Sequence, residues 1–143
     1  MTVPFARVRR MAVRPTAFWR ESVAEEARLI ASGERDPADA YAAELFPESM
    51  LLGTDEVLSR FETDLAGLSA RSDEEVLAVI ERVVLALNHV NEQHGESAYE
   101  TEERERLCAY IEESIAGAGL DVDAFAARHG LTRHEITDKW RDW

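Results

Sequence analysis

Cysteine is nearly absent from this chain. Cys108 is the only one in 143 residues, so neither an internal disulfide nor a cysteine-based zinc site can form. Lysine is as rare: fifteen of the sixteen basic residues are arginine, and Lys139 is the exception. That bias points to a GC-rich bacterial genome rather than to a function. No apolar run approaches the roughly 18–20 residues of a membrane span. No apolar stretch follows the N-terminal arginines, so no secretory leader is expected. Alternating strands, two-residue hairpin signals, internal repeats and low-complexity tracts are all missing from the sequence. The simplest reading is a reduced, cytoplasmic, all-helical bacterial protein.

What is abundant is acid. The formal net charge is −13. Residues 1–20 hold five arginines and no acid, so residues 21–143 carry −18. Such a body repels nucleic acid over most of its surface and favours solubility or a basic partner, a solvated acidic surface being the plainer reading. Residues 1–14 have no clean period (Val3, Pro4, Phe5, Val8, Met11 and Val13 lie among the arginines). They read as a basic arm, either flexible or extended along the acidic body. Residues 15–143 read as one helical domain, long enough for a sizeable core.

From Pro15 onward, apolar residues recur at helical spacing. Trp19, Val23, Ala27 and Ile30 mark a first helix stopped by Gly33. Asp36-Pro37 opens a short helix to about Leu45. Thr54 caps a third, with Val57, Leu58, Phe61, Leu65 and Leu68 on one side. Ser72-x-x-Glu75 is a capping box before the strongest stripe: Val76, Ile80, Val83, Val84, Leu87 and Val90. Gly95 ends that helix. Ser97-x-x-Glu100 is a second box, for a helix to about Ala118. Asp121 caps a short helix closed by Gly130, and Thr132-x-x-Glu135 opens the last one. The expected architecture is an all-α, single-domain bundle of about six or seven helices with short loops.

Three constellations are candidates for function. The core face of the fourth helix turns polar at Asn88, Asn91 and His94, and Glu100, Thr101 and Arg104 follow across the Gly95 turn. Glu100 and Arg104 share a face with Leu107, Cys108 and Ile111, so an ion pair beside Asn88 is expected. That cluster is a structural clasp, a partner surface, or a small-molecule or catalytic site at Asn88, Glu100 and Arg104. The second constellation is His89, Glu92 and His94. Residues 89 and 94 are five apart and do not share a face, so no metal is expected. The third is residues 121–143, where Ala126, Gly130, Leu131 and Ile136 have helix-turn-helix spacing. Its expected second helix is neutral overall, with Arg133, Lys139 and Arg141 set against Glu135, Asp138 and Asp142, which disfavours phosphate contact. Two short helices closing a bundle give the same pattern. Ile136, Trp140 and Trp143 fall on one side of that helix, expected to pack beside Phe125. Cys108 lies on an apolar stripe and reads as a small core residue. A nucleophile elbow and a phosphate loop are both missing, so no catalytic residue and no cofactor are expected.

From Tyr41 onward the chain resembles a family of small acidic all-helical bacterial proteins known only as a domain of unknown function. The matching pieces are Tyr41, Phe46-Pro47, Asn88, Glu100-Thr101-x-x-Arg104-Glu105, His129-Gly130-Leu131 and the closing Arg141-Asp142-Trp143. The chain departs from that family where it carries a Thr-His pair, since Ile80-Glu81 stands there. No role for such a histidine carries over. The resemblance implies an all-α fold, assigns no activity, and places the terminal Arg-Asp-Trp in the bundle.

These readings converge on a non-enzymatic protein-interaction module that binds a basic protein partner. A DNA-binding regulator acting through residues 121–143 is the main alternative. A small-molecule-binding protein or enzyme at Asn88, Glu100 and Arg104 is the other.

Overall fold

The computed structural model describes residues 12–68 and 72–143. Most of the expected basic arm therefore lies outside the described residues. Its last member, Arg14, is tightly held: its guanidinium donates to both Glu62 oxygens, at 2.7 and 2.8 Å.

The described residues are helical and contain no strand. The helices are α1 (Pro15–Ala31), α2 (Ala42–Leu45), α3 (Glu48–Ala66), α4 (Asp73–Gln93), α5 (Thr101–Gly117) and α6 (Val122–Arg128). Among them five run longer than a single turn. The expected count of six or seven is therefore high, and the loss is at two places. The helix expected from Asp36 breaks into a 3-10 turn at Pro37–Asp39 and the single-turn α2. The helix expected after Thr132 is a 3-10 turn, Arg133–Glu135, followed by non-helical turns.

Helix starts follow local chemistry. Pro15 takes the first position of α1, where its missing N–H costs nothing. Pro47 precedes α3 and fixes an extended entry, so the helix begins at Glu48 rather than at the expected Thr54 cap. Thr54 is instead wholly buried inside α3, and its hydroxyl meets the Tyr99 hydroxyl at 2.5 Å. Ser72 caps α4 by accepting the Glu75 amide at 3.2 Å, as expected. The box expected at Ser97 sits one turn later: Glu100 is the cap of α5, paired with Glu103. Ser97 stays exposed while Ala98 and Tyr99 turn inward.

α3 and α4 form an antiparallel hairpin, and α1 runs antiparallel to α3, with Arg14 on Glu62 and Arg20 on Glu48. α5 returns alongside α1 and carries α6 at its far end. The expected α4 stripe is buried in full, from Val76 to Val90. It meets Leu58 and Phe61 of α3, Leu107, Ile111 and Ile115 of α5, and Phe125 of α6 in one core. A row of rings closes the end near the α4–α5 turn. Phe46 stacks on Trp19 at 5.5 Å, Trp19 meets Tyr99 at 6.3 Å, and Trp143 sets its edge on Tyr99 at 5.5 Å. Large rings here bury apolar area that the short α2 and the non-helical tail would otherwise expose.

Candidate functional site

The polar residues expected to converge at the α4–α5 junction are each drawn to a different partner. Asn88 is buried on α4. Its amide nitrogen donates to the Trp140 carbonyl at 2.8 Å and its oxygen accepts the Asp142 amide at 3.0 Å. It clasps the chain's C-terminal segment. Asn91 accepts the buried Ala98 amide at 2.9 Å on its side-chain oxygen, and its carbonyl accepts the Glu96 amide at 2.9 Å. These bonds hold the turn in which Gly95 and Glu96 both have positive φ, 74° and 60°. A left-handed Glu is strained, and the Asn91 bonds offset that cost. His94 bridges the Val90 carbonyl at 2.8 Å and the Ser49 hydroxyl at 2.9 Å. Glu100 and Thr101 are exposed at the start of α5. The expected Glu100–Arg104 pair is not formed. Glu100 is turned to its capping role, and among the described residues the Arg104 side chain has no ion pair. Backbone amides at a helix start attract a carboxylate more strongly than a half-buried guanidinium one turn away.

The strongest ionic cluster is elsewhere, and the sequence reading missed it. Asp55 and Glu62 lie seven apart on one face of α3. Arg14 reaches both, at 3.5 Å to Asp55 and 2.7 Å to Glu62. Thr16 donates to Asp55 at 2.5 Å, Arg20 pairs with Asp55 at 3.0 Å, and the Tyr110 hydroxyl of α5 donates to Glu62. Burial alone would raise the Asp55 carboxyl, but the bonds from Thr16 and Arg20 outweigh it and hold it below its ordinary value. The Arg14 hydrogen bond lowers Glu62 against partial burial, and Tyr110 adds to that. Burial first, and then the Glu62 acceptor, push the Tyr110 hydroxyl up. The cluster ties α1, α3 and α5 together with every member in its resting charge state.

Two more carboxylates are buried and were also missed. Glu26 of α1 accepts the Tyr41 amide at 3.0 Å and the Ala42 amide at 2.9 Å, and pairs with Arg35 at 3.1 Å. It caps α2 from another helix. Ala27, expected inward, is exposed instead. Glu112 of α5 receives Arg133 at 3.2 Å and His134 at 3.3 Å, which anchors the last 3-10 turn. At α4's start, Asp73 takes both Arg128, at 2.8 Å, and His129, at 3.0 Å. The Arg128 hydrogen bond chiefly, with His129 assisting, lowers its carboxyl to about 2.

The Cys108 thiol is pushed up by burial and rests against the Thr137 hydroxyl at 3.6 Å, so it is not a reactive thiolate. The Tyr99 hydroxyl is raised by burial. His89 stands 4.0 Å from Glu92 on an exposed face, turned away from His94. Among the described residues no three metal-binding side chains stand together, and no helix is long and apolar enough to cross a membrane.

The C-terminal segment corrects the helix-turn-helix expectation. α6 and the Gly130 turn, at φ 73°, are present as expected, but no second helix follows. Ile136 and Thr137 are both buried. Asn88 then claims the Asp142 amide, which a continuing helix would direct to the Asp138 carbonyl, and holds the Trp140 carbonyl as well. Trp143 is buried against Tyr99 rather than beside Phe125, while Trp140 is half-buried. Between this segment and α4 runs an open cleft of about 520 Å³ with Leu77, Leu131, Ile136 and Trp140 in its lining.

No family model matches this chain. No curated protein matches it, and no solved structure does either.

Proposed function

We propose that this protein is a non-enzymatic interaction module that binds a basic partner protein through its acidic faces. The observation that carries this reading is the disposition of its positive charge. Among the described residues, nine arginines (14, 20, 28, 35, 82, 106, 128, 133 and 141) are engaged in intramolecular ion pairs. The net charge of −13 is therefore carried by surplus carboxylates facing solvent, among them Glu74, Glu81, Glu92, Glu96 and Glu105. Such a surface speeds encounter with a basic partner and rejects nucleic acid. The buried carboxylates Glu26 and Glu112 fit the same reading, because each is taken up by partners within the fold.

Asn88 and the Arg141-Asp142-Trp143 end, two pieces of the resemblance to small acidic helical proteins, meet in the clasp, and the resemblance itself assigns no activity. Loss of the second helix counts against the DNA-binding alternative.

The test is affinity capture from source extract at low and at moderate salt, with bound proteins identified by mass spectrometry. The expected result is one or a few basic proteins whose capture weakens as salt rises. Reproducible capture of acidic or neutral proteins alone, insensitive to salt, would refute the proposal.

A further inference from the structure

We infer that the cleft between α4 and the C-terminal segment is the docking site for a basic amphipathic peptide of the partner. This rests on the interaction reading above and adds a place and a chemistry to it.

The cleft is large enough for two or three side chains, at about 520 Å³, and opens to solvent along its length. Leu77, Leu131, Ile136 and Trp140 make its lining apolar. Leu131 is 37% exposed and Trp140 is half-covered, whereas Trp143 three residues on is buried. A half-covered indole beside an exposed leucine is the composition of an interface centre.

The rim is acidic on balance, with Lys139 and His129 also in the lining. Asp138 is neutralised by Arg141 at 2.7 Å and Asp73 by Arg128 at 2.8 Å. Glu74, three residues before Leu77, and Glu81, four after it, stand exposed along the same face of α4. Glu135 stands across from them on the other wall. Three carboxylates thus remain against Lys139 alone. The Lys139 amine lies 5.5 Å from the Trp140 ring centroid, so that ring face already holds a cation. An arginine of the partner would take this place over the ring while an aliphatic neighbour enters the cleft. Lys139 is then an internal competitor, and its removal favours binding.

The experiment titrates the full chain with a synthetic peptide of leucine and arginine, and with its glutamine-for-arginine counterpart, following Trp fluorescence at low ionic strength. The expected result is binding of the arginine peptide alone. Leu131→Ser should weaken it about tenfold, the loss of one buried aliphatic anchor. Lys139→Gln should strengthen it about two- to fivefold, by removing a competing cation. Both side chains are exposed, and circular dichroism checks that both variants fold. If the arginine peptide binds and neither substitution changes its affinity, the cleft is not the site, and the acidic-surface reading stands without it. If no arginine peptide binds even at low ionic strength, either to the wild type or to the chain with Arg7, Arg9 and Arg10 changed to glutamate, both fall. If binding appears only after Arg7, Arg9 and Arg10 are changed to glutamate, the chain's own basic arm is the occupant and the assignment to a partner is wrong.

Discussion

Asn88→Ala should detach the C-terminal segment from α4. The substitution removes two hydrogen bonds, at 2.8 Å to the Trp140 carbonyl and 3.0 Å to the Asp142 amide, from a side chain that is 7% exposed. A buried group left without its partner costs about 1–3 kcal/mol. Asp142 is itself exposed, so water can satisfy its amide and that half lies at the low end. The Trp140 carbonyl is more enclosed and lies higher. Together the loss is about 2–3 kcal/mol, which in a domain of this size lowers Tm by roughly 6–12 °C. Urea and thermal unfolding by circular dichroism measure it, and hydrogen exchange should show the amides of residues 136–143 opening ahead of the core. Arg104→Ala is the control. Its side chain has no ion pair among the described residues, so its cost should stay under about 0.5 kcal/mol. If Asn88→Ala costs less than that, or Arg104→Ala costs as much as Asn88→Ala, the clasp is wrongly assigned and the charged pair expected at the α4–α5 junction returns.

Further outcomes follow from the same geometry. Trp143→Ala should cost about 3 kcal/mol, since its indole is buried against Tyr99, while Trp140→Ala should cost about 1 kcal/mol or less; equal losses in chemical unfolding would contradict the burial pattern. Asp55 and Glu62 sit below their ordinary values of 3.8 and 4.5, so their contribution is complete above those values and is lost as pH falls through the lowered ones. The urea midpoint of the wild type should therefore fall more steeply on acidification than that of Glu62→Gln, and parallel curves would show that the Arg14 cluster adds nothing. No specific DNA binding is expected at physiological salt; a gel-shift titration in which a salt-resistant complex forms at submicromolar protein would reverse that reading.

Much of the bundle was legible because local signals suffice for it. The α4 stripe from Val76 to Val90 has helical period throughout, and Ser72, Asp121 and Gly130 punctuate the chain where capping chemistry puts them. The site was less legible. Asn88 and Asn91 stood out as polar residues on a core face, and that signal was sound: both are buried. Their partners were misread, because the charged residues across the Gly95 turn, Glu100 and Arg104, were taken for them. The groups that do bind Asn88 are backbone atoms more than fifty residues away. Backbone groups are alike in every residue, so nothing in composition marks them. Glu26 and Glu112 left no signal either, since a carboxylate on a helix reads as surface until a distant amide or guanidinium is placed against it.

The sequence alone determined the helical class, the acidic surface, the α4 stripe and most caps, all of which depend on residues within a turn or two of one another. Tertiary structure decided where helices stop being helices. Thr132 and Glu135 form the capping box that opens a helix, and the box is present. Yet the chain beyond it makes only one 3-10 turn, because burying Ile136, Thr137 and Trp143 and bonding two backbone groups to Asn88 outweighs the few intrahelical bonds a short terminal helix would gain. A long helix keeps its form against such competition. A segment of this length does not, and its shape is set by the surface it lies on.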